Sequence, residues 1–309
     1  MIIQLKKGSL SRIISCFLLL AGIHPLQAQV KILAVDPSAT NTSIELVHSP
    51  HIIAYDTHIP SKHKLILMMV GTGGHASDSR GMDSIFATMG YHVISLDYEN
   101  SVITTVCSHS EDSTCFDNFR REIITGDPVS DKVEVDKTNS LLNRFNYLLR
   151  YLVKHDPEGK WNEFYAGGQP VWNKIISAGH SQGAGHAGYL GKMFKLSRVL
   201  MFSGPQDYLD DLHKPGSWQS MKSATPPWRF FAFLHVKDPF NVHHQLADDM
   251  KLMNLSHIDT IMVQPGVPVR GHAQILVNDI QTNNPHGSTI SLQFANVWKY
   301  MLNEETTKD

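Results

Sequence analysis

The chain has 309 residues, of which 42% are hydrophobic, 18% charged and 9% aromatic. That is ordinary globular composition and excludes a disordered, collagen-like or low-complexity protein. Lys and Arg number 27 against 29 Asp and Glu, a formal charge of −2, without the basic surplus by which nucleic-acid binders neutralise phosphate. Histidine, at 18 copies, is the outlying count and raises metal ligation or proton transfer as chemistry to look for.

Lys6, Lys7 and Arg12 precede an apolar run over 13–23, and Leu26-Gln27-Ala28 closes it on a small residue. This is the three-part layout of an export signal. The run is shorter than the roughly 20 residues of a membrane span. Cys16 lies within the run, whereas a lipidated cysteine comes after it. The expectation is cleavage near Ala28, one domain over 29–309, no stable membrane anchor, and a secreted or periplasmic location.

Segments 30–37 and 43–57 read as N-terminal strands added antiparallel to the main sheet. A near-continuous apolar strand covers 64–70 and ends in Gly71-Thr72-Gly73-Gly74. A helix over 79–89 and a strand over 91–97 come next. The connection over 98–137 holds Cys107 and Cys115, eight residues apart around a polar segment. With Cys16 removed they are an even pair in an oxidising compartment, and a disulfide is expected. An amphipathic helix covers 139–155, with Leu141, Leu142, Phe145, Leu148, Leu149 and Leu152 on one stripe. Next come a buried strand (174–178), a small-residue helix (183–195), strands at 198–203, 229–235 and 259–264, and a closing helix (291–302). Apolar strands alternating with helices predict an α/β fold with a mostly parallel sheet covered on both faces. The long connections 98–137 and 204–228 leave the carboxyl ends of strands, where such sheets bind ligands. Neither is long enough for a separate lid domain.

Gly179-His180-Ser181-Gln182-Gly183 fits G-x-S-x-G between a predicted strand and a predicted helix. The glycines allow a sharp turn that lifts the Ser181 hydroxyl above the sheet, at a helix N-terminus that favours negative charge. On this motif and its element order the chain resembles the α/β-hydrolase superfamily, in the manner of a secreted serine esterase or lipase. The resemblance is specific at the elbow and looser elsewhere, and it implies an acid and then a histidine after the serine. Counting strands past the elbow gives Asp238 as the acid, with Asp207 in reserve. The histidine is expected after the last strand. With 259–264 as that strand, His272 is the favoured base and His286 its rival. The oxyanion hole is expected from the Gln182 amide and from Thr72 or Gly73 in the loop after strand 64–70.

The implied reaction is cleavage of a small-molecule or glycan carboxylic ester through an acyl-enzyme, with no metal or organic cofactor. A peptidase or acyltransferase on the same fold, a non-catalytic binding protein, and a histidine-based metal hydrolase are the alternatives. The last has no H-E-x-x-H motif to support it. Trp161, Trp172, Trp218 and Trp228 are candidates for an apolar or sugar-stacking wall, although aromatics so placed are commonly core.

Overall fold

The structure is a computed structural model and describes residues 30–303. The expected export signal and Cys16 lie outside them. Nine strands build one sheet: β1 (Lys31–Val35), β2 (His51–Tyr55), β3 (Leu65–Met69), β4 (His92–Ser95), β5 (Ile175–His180), β6 (Arg198–Phe202), β7 (Phe230–His235), β8 (Thr260–Met262) and β9 (Ile275–Asn278). Their order across the sheet is β1-β2-β4-β3-β5-β6-β7-β9-β8. β2 runs antiparallel to both β1 and β4, in line with the reading of the N-terminal segments. Every other neighbouring pair is parallel.

Among the described residues, six helices of eight or more residues flank the sheet: α1 (Arg80–Thr88), α2 (Cys115–Thr125), α3 (Leu141–His155), α4 (Gln182–Met193), α5 (Val242–Met253) and α6 (Ala295–Leu302). α2, α3, α4 and α5 contribute Phe119, Leu148, Leu190 and Leu252 to one core. α1 and α6 contribute Phe86 and Trp298 to the other. Strands β3, β6, β7 and β9 are therefore covered on both faces and buried along their whole length, which explains why they lack in/out alternation. This is the α/β-hydrolase arrangement. α3 shows the local logic: Ser140 caps it by accepting the Asn143 amide, and Leu141, Phe145, Leu148, Leu149 and Leu152 are buried on one face. Burying each such side chain is worth about 1.5–3 kcal/mol.

Three elements depart from the expectation. α2 occupies part of what reads as the 98–137 loop, and its first residue is tied to the preceding turn by the Cys107–Cys115 disulfide. α5 fills the stretch between two expected strands. Strand 259–264 shortens to Thr260–Met262 at the sheet edge, while the unforeseen β9 inserts between it and β7. The last strand among the described residues is thus β9, which changes which histidine comes after it. No helix among the described residues is long and apolar enough to cross a membrane.

Candidate active site

β5 ends at His180 and α4 begins at Gln182, so one residue makes the turn. That residue is Ser181, at φ 57° and ψ −123°, a conformation costing of order 1–3 kcal/mol for a residue with a side chain. The glycines permit it. A Cβ on Gly179 would lie 2.1 Å from the Gly183 carbonyl oxygen, and one on Gly183 would lie 2.1 Å from the Met69 carbonyl oxygen. The Ser181 amide donates to the Phe202 carbonyl at 2.9 Å, fixing the turn to β6.

The position expected for the acid comes directly after β7. Asp238 is 6% exposed. Its Oδ1 accepts the Phe240 amide at 2.9 Å and its Oδ2 lies 2.8 Å from His286 Nδ1. Burial works to raise this carboxyl, but the His286 hydrogen bond and charge and the Phe240 amide outweigh it, and the pKa is lowered. A carboxylate can only accept, so Nδ1 carries the proton and Nε2 presents its lone pair. His286 sits in a short helix, Pro285–Ser288, capped by the Asn284 side chain.

The expected base, His272, is not in this arrangement. It lies exposed on the connection between β8 and β9. The expectation fails because 259–264 is not the last strand. The histidine beyond the true last strand is His286, and it is the one beside Asp238. The reserve acid Asp207 is also occupied elsewhere. Arg120 donates to both of its oxygens, at 2.6 and 2.5 Å, and Trp218 Nε1 donates at 2.7 Å. The same guanidinium reaches the Gln182 carbonyl at 2.8 Å, tying α2 to the first turn of α4.

Residues not foreseen hold His286 and the loop of Asp238. The His286 carbonyl accepts His180 Nε2–H at 3.0 Å and the Ser203 hydroxyl at 2.6 Å. Burial first, and then His286, push His180 down to about 4, so it stays a neutral donor above that. His235 joins the two loops: its Nε2–H donates to the Ile280 carbonyl at 3.0 Å and its Nδ1 accepts the Lys237 amide at 2.9 Å. Of these, only His180 had a sequence signal, as neighbour of the serine. The Ser181 hydroxyl accepts from Gln206 Nε2 at 3.4 Å, while His286 Nε2 makes no hydrogen bond among the described residues.

The loop after β3 closes over the serine. A Cβ on Gly71 would be 2.9 Å from the Ser181 Cβ. The Gly73 amide donates to the Asn100 carbonyl at 3.0 Å and is therefore not available to a ligand. That leaves Thr72, whose hydroxyl also binds Gln182 Oε1 at 2.6 Å and holds the two amide-bearing residues together. The cleft beside Ser181 has a volume of about 470 Å³. Met68, Val70, Ile103, Phe240 and Ile290 supply its apolar wall, with His180 and His286 beside the serine. None of Trp161, Trp172, Trp218 and Trp228 lines it. Trp161 and Trp218 are fully buried, and Trp172 stacks on Phe194. His186, on α4, is buried against the edge of Tyr98. No group of three or more His, Cys, Asp or Glu among the described residues is placed to hold a metal ion.

No family model matches the chain, and no curated protein matches it. Among solved structures the chain is similar to esterase B from Lactobacillus rhamnosis, in a crystal structure with a C4-C4 SN3 tributyrin phosphonate inhibitor. The identity is 11% and the TM-score 0.42, over 81% of this chain and 74% of that one.

Proposed function

We propose that the protein is a serine hydrolase that cleaves carboxylic esters through an acyl-enzyme. Ser181 is the nucleophile, His286 the general base, and Asp238 the acid that orients and stabilises it. The observation that carries this reading is a serine on a one-residue strand-to-helix turn, opening on the same cleft as a histidine already paired with a buried carboxylate at 2.8 Å.

When an ester binds, the Ser181 hydroxyl turns from Gln206 to His286 Nε2, a contact that commonly tightens only with substrate in place. His286 takes the hydroxyl proton as Oγ attacks the carbonyl carbon. The Thr72 and Gln182 amides hold the developing oxyanion, helped by the α4 N-terminus. His286 then protonates the departing alcohol. Water, deprotonated by the same imidazole, attacks the acyl-enzyme and releases the acid. Asp238 remains a carboxylate throughout and steadies the imidazolium. The apolar wall suits a short acyl or alcohol group. The disulfide supports action in an oxidising compartment, reached by the export signal.

The test is labelling by a fluorophosphonate, followed by peptide mapping, together with hydrolysis of p-nitrophenyl butyrate. Labelling at Ser181 and its loss in Ser181→Ala are expected. Folded protein that neither labels nor hydrolyses short esters would sink the proposal.

A further inference from the structure

The face made by the end of α4, the connection before β7 and the end of α5 carries a second cavity, of about 590 Å³. It is larger than the cleft beside Ser181 and shares no lining residue with it. Lys192, in the last turn of α4, is 7% exposed and lines it. Its ammonium makes one hydrogen bond, to the Met221 carbonyl at 3.2 Å, and has no ion-pair partner among the described residues. An ammonium has three donors, so two are unspent. Buried charge is normally paired, because leaving it unpaired costs several kcal/mol. Burial, and then the charge of Lys251, push Lys192 down to about 8, the direction expected of an ammonium that lacks a counter-ion. Lys251 lies on the rim of the same cavity, and the lining contains no Asp or Glu. The remaining wall includes Met221, Met250, Leu252 and Leu255. Methionines adapt to apolar bodies of varied shape.

We propose that this cavity is a binding site for an organic monoanion, a carboxylate carried on an apolar body, with Lys192 as its counter-ion. The carboxylate takes the two unspent donors of Lys192, and Lys251 adds attraction from the rim. The apolar body lies along the methionine and leucine wall. A single buried ammonium matches one negative charge. The volume falls in the range of small-molecule sites.

The experiment is calorimetric titration of the full chain with sodium decanoate, using 1-decanol and sodium acetate as comparison ligands. Ser181 is first capped with a fluorophosphonate, so that the acid cannot enter the catalytic cleft. Decanoate is expected to bind one to one, and both comparison ligands at least about tenfold more weakly. Lys192→Gln should weaken decanoate at least about tenfold, the loss of a charge-assisted hydrogen bond, while Lys192→Arg should keep most of the affinity. In the unmutated chain, decanoate should slow acetylation of Lys192 by an N-hydroxysuccinimide ester, a readout that survives if the variants fold poorly. Equal binding by decanol or by Lys192→Gln, no binding of decanoate, or unprotected Lys192 each overturn the proposal. So does binding to uncapped protein that disappears on capping. Failure of the cap to react at Ser181 counts against the hydrolase reading instead, and the variants then decide on uncapped protein.

Discussion

The Asp238–His286 pair sets a quantitative expectation for Asp238→Asn. In the proposed mechanism His286 accepts the Ser181 proton and becomes a cation beside a carboxylate that is 6% exposed, with Nδ1 and Oδ2 2.8 Å apart. Taking the charge centres as roughly 4 Å apart, at an effective dielectric near 20, the pair attracts by about 4 kcal/mol. At 1.36 kcal/mol per decade that is about a thousandfold in rate. Asn can also donate to Nδ1 and leave the proton on the wrong nitrogen, which adds to the loss. Asp238→Asn should therefore lower kcat/KM for p-nitrophenyl butyrate by about 10³-fold or more. The loss should appear in kcat, because Asp238 does not line the cleft. His286→Ala should be at least as damaging, and His272→Ala should change kcat/KM less than about twofold, since an exposed side chain remote from the chemistry adds no transition-state contact. Stopped-flow burst measurement with thermal melts separates lost chemistry from lost folding. The reasoning is refuted if Asp238→Asn keeps a tenth of the activity, or if His272→Ala is as inactive as His286→Ala.

The remaining expectations concern the oxyanion loop, the disulfide and pH. Gly71→Ala places a Cβ 2.9 Å from the Ser181 Cβ, so kcat should fall by about ten- to a hundredfold, as misplaced reacting groups do, with little change in melting temperature; unchanged kcat would mean that the loop yields freely. Replacing Cys107 and Cys115 by serine opens a loop of sequence separation 8, which the chain-entropy relation puts at about 2.5 kcal/mol; a denaturant midpoint that does not move would contradict it. Asp83 is fully buried, with the Ser95 hydroxyl 2.9 Å from both of its oxygens, and burial raises it to about 8. Its folded pKa exceeds the unfolded value of about 3.9, so its contribution is intact below that value and is lost as pH rises toward 8. Asp83→Asn should gain stability relative to the parent between pH 5 and pH 8, read as a growing difference in melting temperature; a constant difference would refute the shift.

The elbow was legible because its constraints are local. Gly179 and Gly183 are required by backbone contacts within a few residues, or by a neighbouring strand whose apolar run is itself visible. The place of Asp238 was legible for a similar reason, since Phe230–His235 is a long buried run and Asp238 comes directly after it. The base was not. β9 is four residues long and buried, whereas Thr260–Met262 is partly exposed and lies in a longer apolar-looking stretch. Which of two short segments is interior depends on strand order, and here the later segment inserts inside the earlier one. Nothing in local periodicity encodes that insertion. α2 illustrates another limit. Cys115, Phe116, Phe119, Ile123 and Ile124 have helical spacing, but a polar loop and five charged residues from Asp117 to Glu122 and Asp127 obscure it. The Gly73 amide is engaged by the Asn100 carbonyl, a contact across two loops that the sequence does not signal.

The two candidate acids show how tertiary partners assign roles that residue type leaves open. Asp207 and Asp238 lie beyond successive strands, and either position could serve a histidine arriving from the end of the sheet. Asp207 is fully buried, and its oxygens are filled by a bidentate guanidinium and an indole. A carboxylate so satisfied has little to offer an imidazole, and withdrawing it would strand Arg120 as a buried cation. Asp238 keeps one oxygen for a backbone amide and gives the other to His286. Arg120 is thus the residue that separates the roles. By also gripping the Gln182 carbonyl, it makes the Asp207 carboxylate part of the scaffold under Ser181. It comes from α2, whose first residue the disulfide anchors. The cysteine pair that the sequence offered as the closure of a polar segment therefore bears on the elbow through one buried guanidinium.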